Sequence, residues 1–387
     1  MYPTISDLIQ DLTGLHIPLP IQSFGFFVAL SFLLGAWVMS LDLKRKEETG
    51  LLKSILKTVV KGKPASLQML ASTALVSFFI GYKLIYMVFD YSSFVENPQA
   101  LLLSMKGNFF GGLLSAALFT YLKYKEKQKE KLPNPIEESL QVRPHELMGN
   151  ITLIAAVSGI IGAKVFHNLE NMNDFLNDPI GSLLSFSGLT FYGGLIFGAI
   201  AVLWYGKKNG IHWKHMVDAS APGLMLAYGI GRIGCQVSGD GDWGITNMQA
   251  QPSWLSFLPS WTWSYQYPHN VISEGILMPD CIGKHCYYLA QPVFPTPLYE
   301  AIMGIALFFV LWSIRKKIKI PGMLFAIYLV FNGTERFCIE KIRVNTFYHI
   351  FGYSITQAEI ISFMLIITGI AGIIWLKKTA SSHLQQP

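Results

Sequence analysis

Nine stretches of this chain are apolar for long enough to cross a bilayer, and this restricts the fold more than any motif does. They fall at about 20–41, 67–89, 108–123, 148–168, 188–205, 217–236, 296–314, 322–337 and 355–376. A spanning helix needs about 17–25 mostly apolar residues. Inside lipid every backbone N–H and C=O must be paired within its own segment, so runs of this length are read as helices. The charge content agrees: 14% of the 387 residues are charged, against about 25% in soluble domains. The expected fold is an all-α polytopic membrane protein, one integral membrane domain over residues 1–387 with about nine spans. A disordered chain and a disulfide-dense secreted module both fit this composition poorly.

The formal net charge of +6 raises nucleic-acid binding as a function, and the positions of the basic residues remove it. They collect in alternate loops: Lys44 to Lys63, Lys123 to Arg143, Lys207 to Lys214, Arg315 to Lys319, and Lys377 with Lys378, which together hold 22 of the 30 Lys and Arg residues. Basic loops stay on the cytoplasmic side, and the intervening loops are neutral or acidic, as in Glu170, Asp174 and Asp178. The N-terminus is therefore expected outside and the C-terminus inside. The first basic side chain, Lys44, follows the first apolar run, so no basic stretch precedes that run in the manner of a cleavable signal.

Shifting the chain by 81 residues aligns 76–114 on 157–195 without a gap, pairing Val76 with Val157, Gly81 with Gly162, Lys83 with Lys164, Pro98 with Pro179, Gly107 with Gly188 and Gly112 with Gly193. Chance apolar similarity would scatter Leu matches and would not put Gly, Pro and Lys in register. The segment 67–123 is read as an extra helix pair duplicating 148–205. Lys83 and Lys164 sit near the outer ends of their spans, where snorkelling toward water is the ordinary role of a lysine.

The longest outer segment, 237–295, is rich in Trp and Tyr and reads as a small periplasmic head at the headgroup level or simply as an aromatic belt. Its Cys281 and Cys286 have three readings: a disulfide, which an oxidising compartment permits, free thiols, or part of a zinc site with His285. Three ligands within six residues lack the paired spacing usual for zinc.

Charges at the ends of spans are expensive and so carry information. Arg232 ends an apolar helix in YGIGRIGCQVSGDGDWG, residues 228–244, where glycines permit sharp turns and a close approach of backbone to ligand. Asp240 and Asp242 lie near enough for a purely structural ion pair. Downstream, Arg336, Glu340 and Arg343 of NGTERFCIEKIR stand at i, i+4 and i+7, so they are expected to share one face of a helix. Two guanidinium groups flanking a carboxylate can hold a phosphodiester by paired hydrogen bonds. A self-satisfied salt-bridge ladder is the plainer reading, and Arg232 on a second helix tips the balance toward anion binding. YGGL, residues 192–195, offers close helix packing beside a phenol. PTPLYE, residues 295–300, is a helix start with Pro near its first position.

Taken in order, these motifs resemble bacterial prolipoprotein diacylglyceryl transferases: Tyr192-Gly193-Gly194-Leu195, Gly231-Arg232 through Asp240 to Gly244, Pro295 to Glu300, and Arg336 through Arg343. The resemblance covers about 150–376 well and the first span only in outline. It implies transfer of a diacylglyceryl group from phosphatidylglycerol to the lipobox cysteine of an exported prolipoprotein, with release of glycerol phosphate. It also implies a place in the inner membrane with the site near the periplasmic face. Arg232 and Arg336 match the family's essential arginines, Glu340 and Arg343 its supporting pair, Asp240 its acidic residue and Gly244 its glycine. Departures occur at Tyr192, where many members have His, at Cys235 and Ser238 in place of Asn, at Phe24 in place of Tyr, and at Asn332 in place of Tyr. The pair at 67–123 is additional to the family's usual seven spans.

The nucleophile in such a reaction belongs to the substrate. A free thiol titrates near 8.5 and is a few per cent ionised at neutral pH, and guanidinium groups nearby stabilise charge on a departing phosphate. Tyr192, with an ordinary pKa near 10, is better suited to orienting the headgroup or thiol than to removing a proton. No metal-binding spacing and no phosphate-binding glycine loop after a strand is present, so no cofactor is expected. The partners expected are phosphatidylglycerol, the prolipoprotein signal-peptide and lipobox segment, and the bilayer. A carrier for an anionic lipid or metabolite, and a catalytically silent lipid-headgroup-binding protein, are the rival functions.

Overall fold

The computed structural model describes residues 1–384 apart from 16, 20, 92–93, 95–100, 102–103, 185–189 and 351–352. The helices are α1 (Ile5–Thr13), α2 (Ser23–Glu48), α3 (Leu67–Phe89), α4 (Phe109–Lys129), α5 (Met148–Glu170), α6 (Met172–Asn177), α7 (Pro179–Leu184), α8 (Phe191–Lys208), α9 (Trp213–Ser238), α10 (Thr296–Ile314), α11 (Met323–Glu340) and α12 (Gln357–Leu384). Among the described residues, each apolar window of the sequence holds a helix of 18 residues or more. The window limits at 20 and 188–189, and the repeat partners Pro98 and Gly188, lie outside the described residues. Among the described residues, five segments are long and apolar enough to cross a membrane: Ser23–Glu48, Leu67–Phe89, Pro144–Glu170, Thr296–Ile314 and Gln357–Ser381. The chain is a helical, multi-pass membrane protein.

Three two-stranded antiparallel ribbons accompany the helices: β1 (Ile55–Lys61) with β2 (Ile136–Val142), β3 (Ile276–Leu277) with β4 (Tyr287–Tyr288), and β5 (Phe347–Ile350) with β6 (Tyr353–Thr356). They correct the all-α expectation in detail. Apart from the last two residues of β6, which enter the window at 355–376, each lies in a segment between apolar windows, where a search for long apolar runs has nothing to register.

Helix α9 is the centre of the bundle, packed on α2, α10 and α11, while α11 also packs along α12. Small residues set these contacts, as is usual where lipid supplies no hydrophobic drive for helix association. Gly229 of α9 meets Gly304 of α10 so closely that a Cβ on Gly304 would stand 3.1 Å from the Gly229 Cα. The two helices run in opposite directions from that crossing. Arg232, three residues after Gly229, and Glu300, four residues before Gly304, therefore arrive at the same level. At the other end of α9 the buried Asp218 accepts the backbone N–H groups of Gly322 and Phe325 at 2.7 and 3.0 Å. This caps the N-terminus of α11 from a neighbouring helix. Lys46, also buried, reaches Asp42 and Asp218 at 3.8 and 3.9 Å. With α11 held at one end, its opposite end carries Arg336 to the level of Arg232.

Two helical hairpins flank this bundle: α3 packs on α4, and α5 packs on α8. The segment from Gly239 to Pro295 folds over the ends of α9 and α10. Gly239 (φ 65°) and Gly241 (φ 97°) turn the chain out of α9 in a left-handed conformation that a side chain would strain. A small apolar core of Trp243, Tyr267, Leu289 and Val293 holds the segment together. The fully buried Tyr267 hydroxyl donates to Gln236 of α9 at 2.8 Å. Cys281 and Cys286 are joined in a disulfide.

Candidate functional site

Three arginines from three parts of the chain converge on one carboxylate. Glu300, in the first turns of α10, has no exposed surface. Its Oε2 lies 2.6 Å from Nε of Arg232 at the end of α9 and 3.9 Å from Nη1 of Arg336 on α11. Its Oε1 accepts from Nη1 of Arg343 at 2.8 Å. A second carboxylate, Asp242, joins Arg232 to Arg343, accepting from Arg343 Nη2 at 2.6 Å and from Arg232 Nη1. Glu340 takes Arg336 Nη2 at 3.2 Å and is fixed in turn by the Thr356 hydroxyl, which donates to it at 2.7 Å. Buried charges are costly unless paired and hydrogen-bonded in this way.

The pairing is incomplete where a ligand would need it to be. Nη1 of Arg336 is buried and has no hydrogen-bond partner among the described residues, and the same holds for Nε of Arg343. Donors left over inside a cluster of guanidinium groups are what a phosphate oxygen would occupy. Asp242 is the most exposed carboxylate of the cluster, its side chain 37% accessible.

Arg343 reaches this cluster by a route that corrects the helical spacing read from the sequence. Helix α11 ends at Glu340, so Arg336 and Glu340 share a face but Arg343 is not the next rung. The chain beyond it runs alongside residues 244–245: Ile245 N–H donates to Ile342 O at 2.8 Å, and Gly244 bridges Arg343. Those hydrogen bonds replace the next helical turn. Gly244 is wedged between this strand and the chain entering α10, where a Cβ would stand 2.4 Å from Ile342 O and 2.8 Å from the Thr296 methyl. The Thr296 hydroxyl donates to the Asp242 carbonyl at 2.9 Å, fixing the same turn.

The other residues singled out in the sequence occupy different surroundings. Asp240 does not contact an arginine in the way Asp242 does; its carboxylate accepts the Asp242 backbone N–H at 3.3 Å, closing the turn after α9. Burial, reinforced by Asp242, pushes the Asp240 carboxyl above the usual range. Burial also opposes ionisation of Asp242, but Arg232 and Arg343 outweigh it and hold that carboxyl below the usual range. Cys235 is buried with its sulfur 3.9 Å from Arg232 Nη1, and the Ser238 hydroxyl donates back to Gly234 O at 2.8 Å within its own helix. Tyr192, Gly193 and Gly194 lie at the start of α8, where Gly193 and Gly194 meet Gly162 and Gly159 of α5 in a helix-packing seam. Cys235, Asp240 and Asp242 bring three ligand atoms within 4.8 Å of one another. A metal ion there would sit against the Arg232 guanidinium, so the group is better described as part of the arginine cluster.

Sequence reasoning treats Glu300 only as the end of the Pro295 to Glu300 helix-start motif and names Asp240, not Asp242, as the acidic residue. A carboxylate in the first turns of an otherwise apolar spanning helix was the available signal for Glu300. Tyr228 and Glu335, which border Glu300, lie inside the two arginine-bearing motifs, but the sequence reading gives neither a role.

Comparison with known proteins agrees with this geometry. Residues 134–375 match the family model described as prolipoprotein diacylglyceryl transferase. A phosphatidylglycerol–prolipoprotein diacylglyceryl transferase of Chlorobaculum tepidum is 29% identical over 244 residues, covering 58% of this chain and 72% of its own length. A protein of the same name from Corynebacterium diphtheriae is 30% identical over 215 residues, 54% of this chain and 71% of the relative. One from Stenotrophomonas maltophilia is 27% identical over 256 residues, 62% and 79% of the two chains. The α3–α4 pair precedes the matched stretch, whereas α9, α10 and α11, which bring the arginines together, lie within it. The chain belongs to the prolipoprotein diacylglyceryl transferase family.

Proposed function

We propose that this chain transfers the diacylglyceryl group of phosphatidylglycerol to the lipobox cysteine thiol of exported prolipoproteins, releasing glycerol phosphate. The observation that carries the reading is the convergence of Arg232, Arg336 and Arg343 on the buried Glu300, with Arg336 Nη1 left without a hydrogen-bond partner among the described residues.

Arg232 and Arg336 hold the phosphodiester. Glu300 and Glu340 fix their forks, Arg343 completes the cradle, and Asp240 with Gly244 shapes the turn that carries Asp242. The thiol sulfur attacks the glyceryl carbon bonded to the phosphate oxygen. The C–O electron pair leaves with glycerol phosphate, and the fixed guanidinium groups stabilise its growing charge. Such preorganised donors act without reorganising in the transition state, and removing one in other enzymes costs about 10²–10³ in rate. Tyr192 orients the headgroup or the peptide from the start of α8.

The site lies near the periplasmic face of the inner membrane, with the N-terminus outside, nine spans, and residues 237–295 as a periplasmic head. The distribution of Lys and Arg supports this orientation. Helices α3 and α4 duplicate α5 and α8; in support, α3 and α5 coincide end to end under the 81-residue shift, and their C-caps Asp90 and Asn171 share φ −116° and ψ 53°.

The test is to incubate the purified chain with phosphatidylglycerol vesicles and a lipobox peptide and to look for thioether-linked diacylglycerol. Product is expected from the parental chain and not from Arg232→Ala combined with Arg336→Ala. Headgroup binding without product would favour the silent lipid-binding reading.

A further inference from the structure

Behind the arginine cluster lies a fourth carboxylate that the charge pairing does not use. Arg232, Arg336 and Arg343 are matched by Glu300, Asp242 and Glu340. Glu335, on α11 beside Arg336, makes no ion pair within 4.0 Å among the described residues and is only 5% exposed. Its Oε2 is buried without a hydrogen-bond partner among the described residues. Its Oε1 lies 3.2 Å from the hydroxyl of Tyr228 on α9, and that hydroxyl also donates to Glu300 Oε2 at 2.6 Å. One phenolic hydrogen thus stands between two carboxylates, one of them saturated with guanidinium donors and the other free to take a proton.

We propose that Tyr228 and Glu335 form the proton-accepting relay for the lipobox thiol. The inference rests on the transfer reading above and supplies the step it leaves open. As the S–C bond forms and the C–O bond to phosphate breaks, the thiol proton passes to the Tyr228 oxygen and the phenolic proton passes to Glu335 Oε1. Tyr228 begins and ends protonated, the C–O pair leaves as the phosphate oxyanion, and Glu335 returns its proton to the departing glycerol phosphate or to water. Tyr228 meets the substrate, and Glu335 acts through it.

Several other groups face Glu335. Arg232 on α9 lies with its guanidinium 5.3 Å from the Tyr228 ring centre, and Glu300 comes from α10. Arg336 and Tyr328 are on the same helix. On α12, packed against α11, Glu359 is engaged with Lys341. None of these combines an unpaired acceptor oxygen with contact to the phenol.

The experiment compares the full chain with Glu335→Gln and Glu335→Asp in phosphatidylglycerol vesicles. Two lipobox peptides are used, one carrying the usual cysteine and one carrying selenocysteine, whose selenol is ionised at neutral pH. For Glu335→Gln with the thiol peptide we expect a fall in kcat of about 100-fold at neutral pH with the dependence on phosphatidylglycerol unchanged. The deficit should shrink as pH rises through about 8.5, where the thiol ionises unaided. The selenol peptide should restore the rate to within a few fold, and Glu335→Asp should keep the parental pH profile at reduced rate. Parental activity in Glu335→Gln overturns the proposal. So does an equal loss with both peptides in both variants, which marks Glu335 as structural. If the parental chain makes no product from either peptide, the transfer reading falls and this one falls with it.

Discussion

Glu300 and Arg343, 43 positions apart in the chain, meet through Oε1 and Nη1 at 2.8 Å. The other oxygen of the same carboxylate serves Arg232. A single fully buried side chain thus sets the spacing between guanidinium groups carried by α9 and by the strand after α11. The crossing of Gly229 and Gly304 brings α10 close enough to α9 for this to happen.

Glu300→Ala is therefore expected to be more damaging than loss of any one arginine. Removing one partner of a buried ion pair costs about 3–5 kcal/mol because the remaining charge is left uncompensated, and here three guanidinium groups would repel one another. Glu300→Gln keeps the shape but not the charge and should fall between. Thermal unfolding in detergent should rank the parental chain above Glu300→Gln and that above Glu300→Ala, with diacylglyceryl transfer lost in both variants. A variant of Glu300 with parental melting and parental activity would show that the hub is dispensable.

Gly244→Ala tests the strand that carries Arg343. The added Cβ would stand 2.4 Å from Ile342 O, a backbone atom that cannot swing aside as a side chain could. The strand must shift, and Arg343 moves away from Asp242 and Glu300 with it. Overpacking of this kind costs about 1–3 kcal/mol. The activity loss should exceed what the melting temperature alone suggests, because the displaced group lies in the site. Headgroup binding measured against phosphatidylglycerol vesicles should weaken in step with activity.

Helix positions were the most legible part of this chain, because apolar length is a local property: the window at 217–236 and the helix Trp213–Ser238 differ by a few residues at each end. Within the site, Arg232 and Arg336 stand out for the same reason, as charges at the ends of apolar runs. Arg343 is visible as a residue but misplaced by helical spacing, since the hydrogen bonds that unwind the helix come from Ile245, about a hundred positions away. Glu300 gains its meaning only when α10 crosses α9, and the choice between Asp240 and Asp242 depends on turns at Gly239 and Gly241 whose geometry the letters do not fix. Long-range pairing decides these cases, and a single sequence does not display it.

Asp240 and Asp242 should respond to pH in opposite directions. The folded protein holds Asp242 below its unfolded value, so its contribution is present above about pH 4 and is lost as pH falls through the lowered folded pKa. Asp240 is held above its unfolded value, so its ionisation costs stability as pH rises from about 4 through the raised folded pKa. At neutral pH Asp242→Asn should lower the melting temperature. The cost is about 1 kcal/mol, less than for a fully buried pair because the side chain is 37% exposed. Asp240→Asn should leave it unchanged or raise it. Below about pH 4 both differences should shrink. Parallel shifts in the two variants would contradict the geometry.

The α3–α4 hairpin should be removable. Its two helices pack on each other, and among the described residues neither forms an extensive seam with another helix. The chain enters and leaves the pair through the β1–β2 ribbon, whose last pair is Lys61 with Ile136, and Leu132 N–H donates to Gly62 O at 3.3 Å. The ends are thus already adjacent, and an Asn-Gly turn joining Gly62 to Leu132 would close the ribbon as an ordinary hairpin. On the proposed nine-span topology such a shortened chain loses two spans together, so everything downstream keeps its orientation, and the arginine cluster on α9, α10 and α11 loses no partner. We expect it to insert, to melt within a few degrees of the parent, and to retain transfer activity within about tenfold, or 1.4 kcal/mol. Loss of activity with headgroup binding intact would instead assign the hairpin a part in bringing the prolipoprotein to the site, since Tyr91, just beyond α3, donates to the Pro18 carbonyl on the approach to α2.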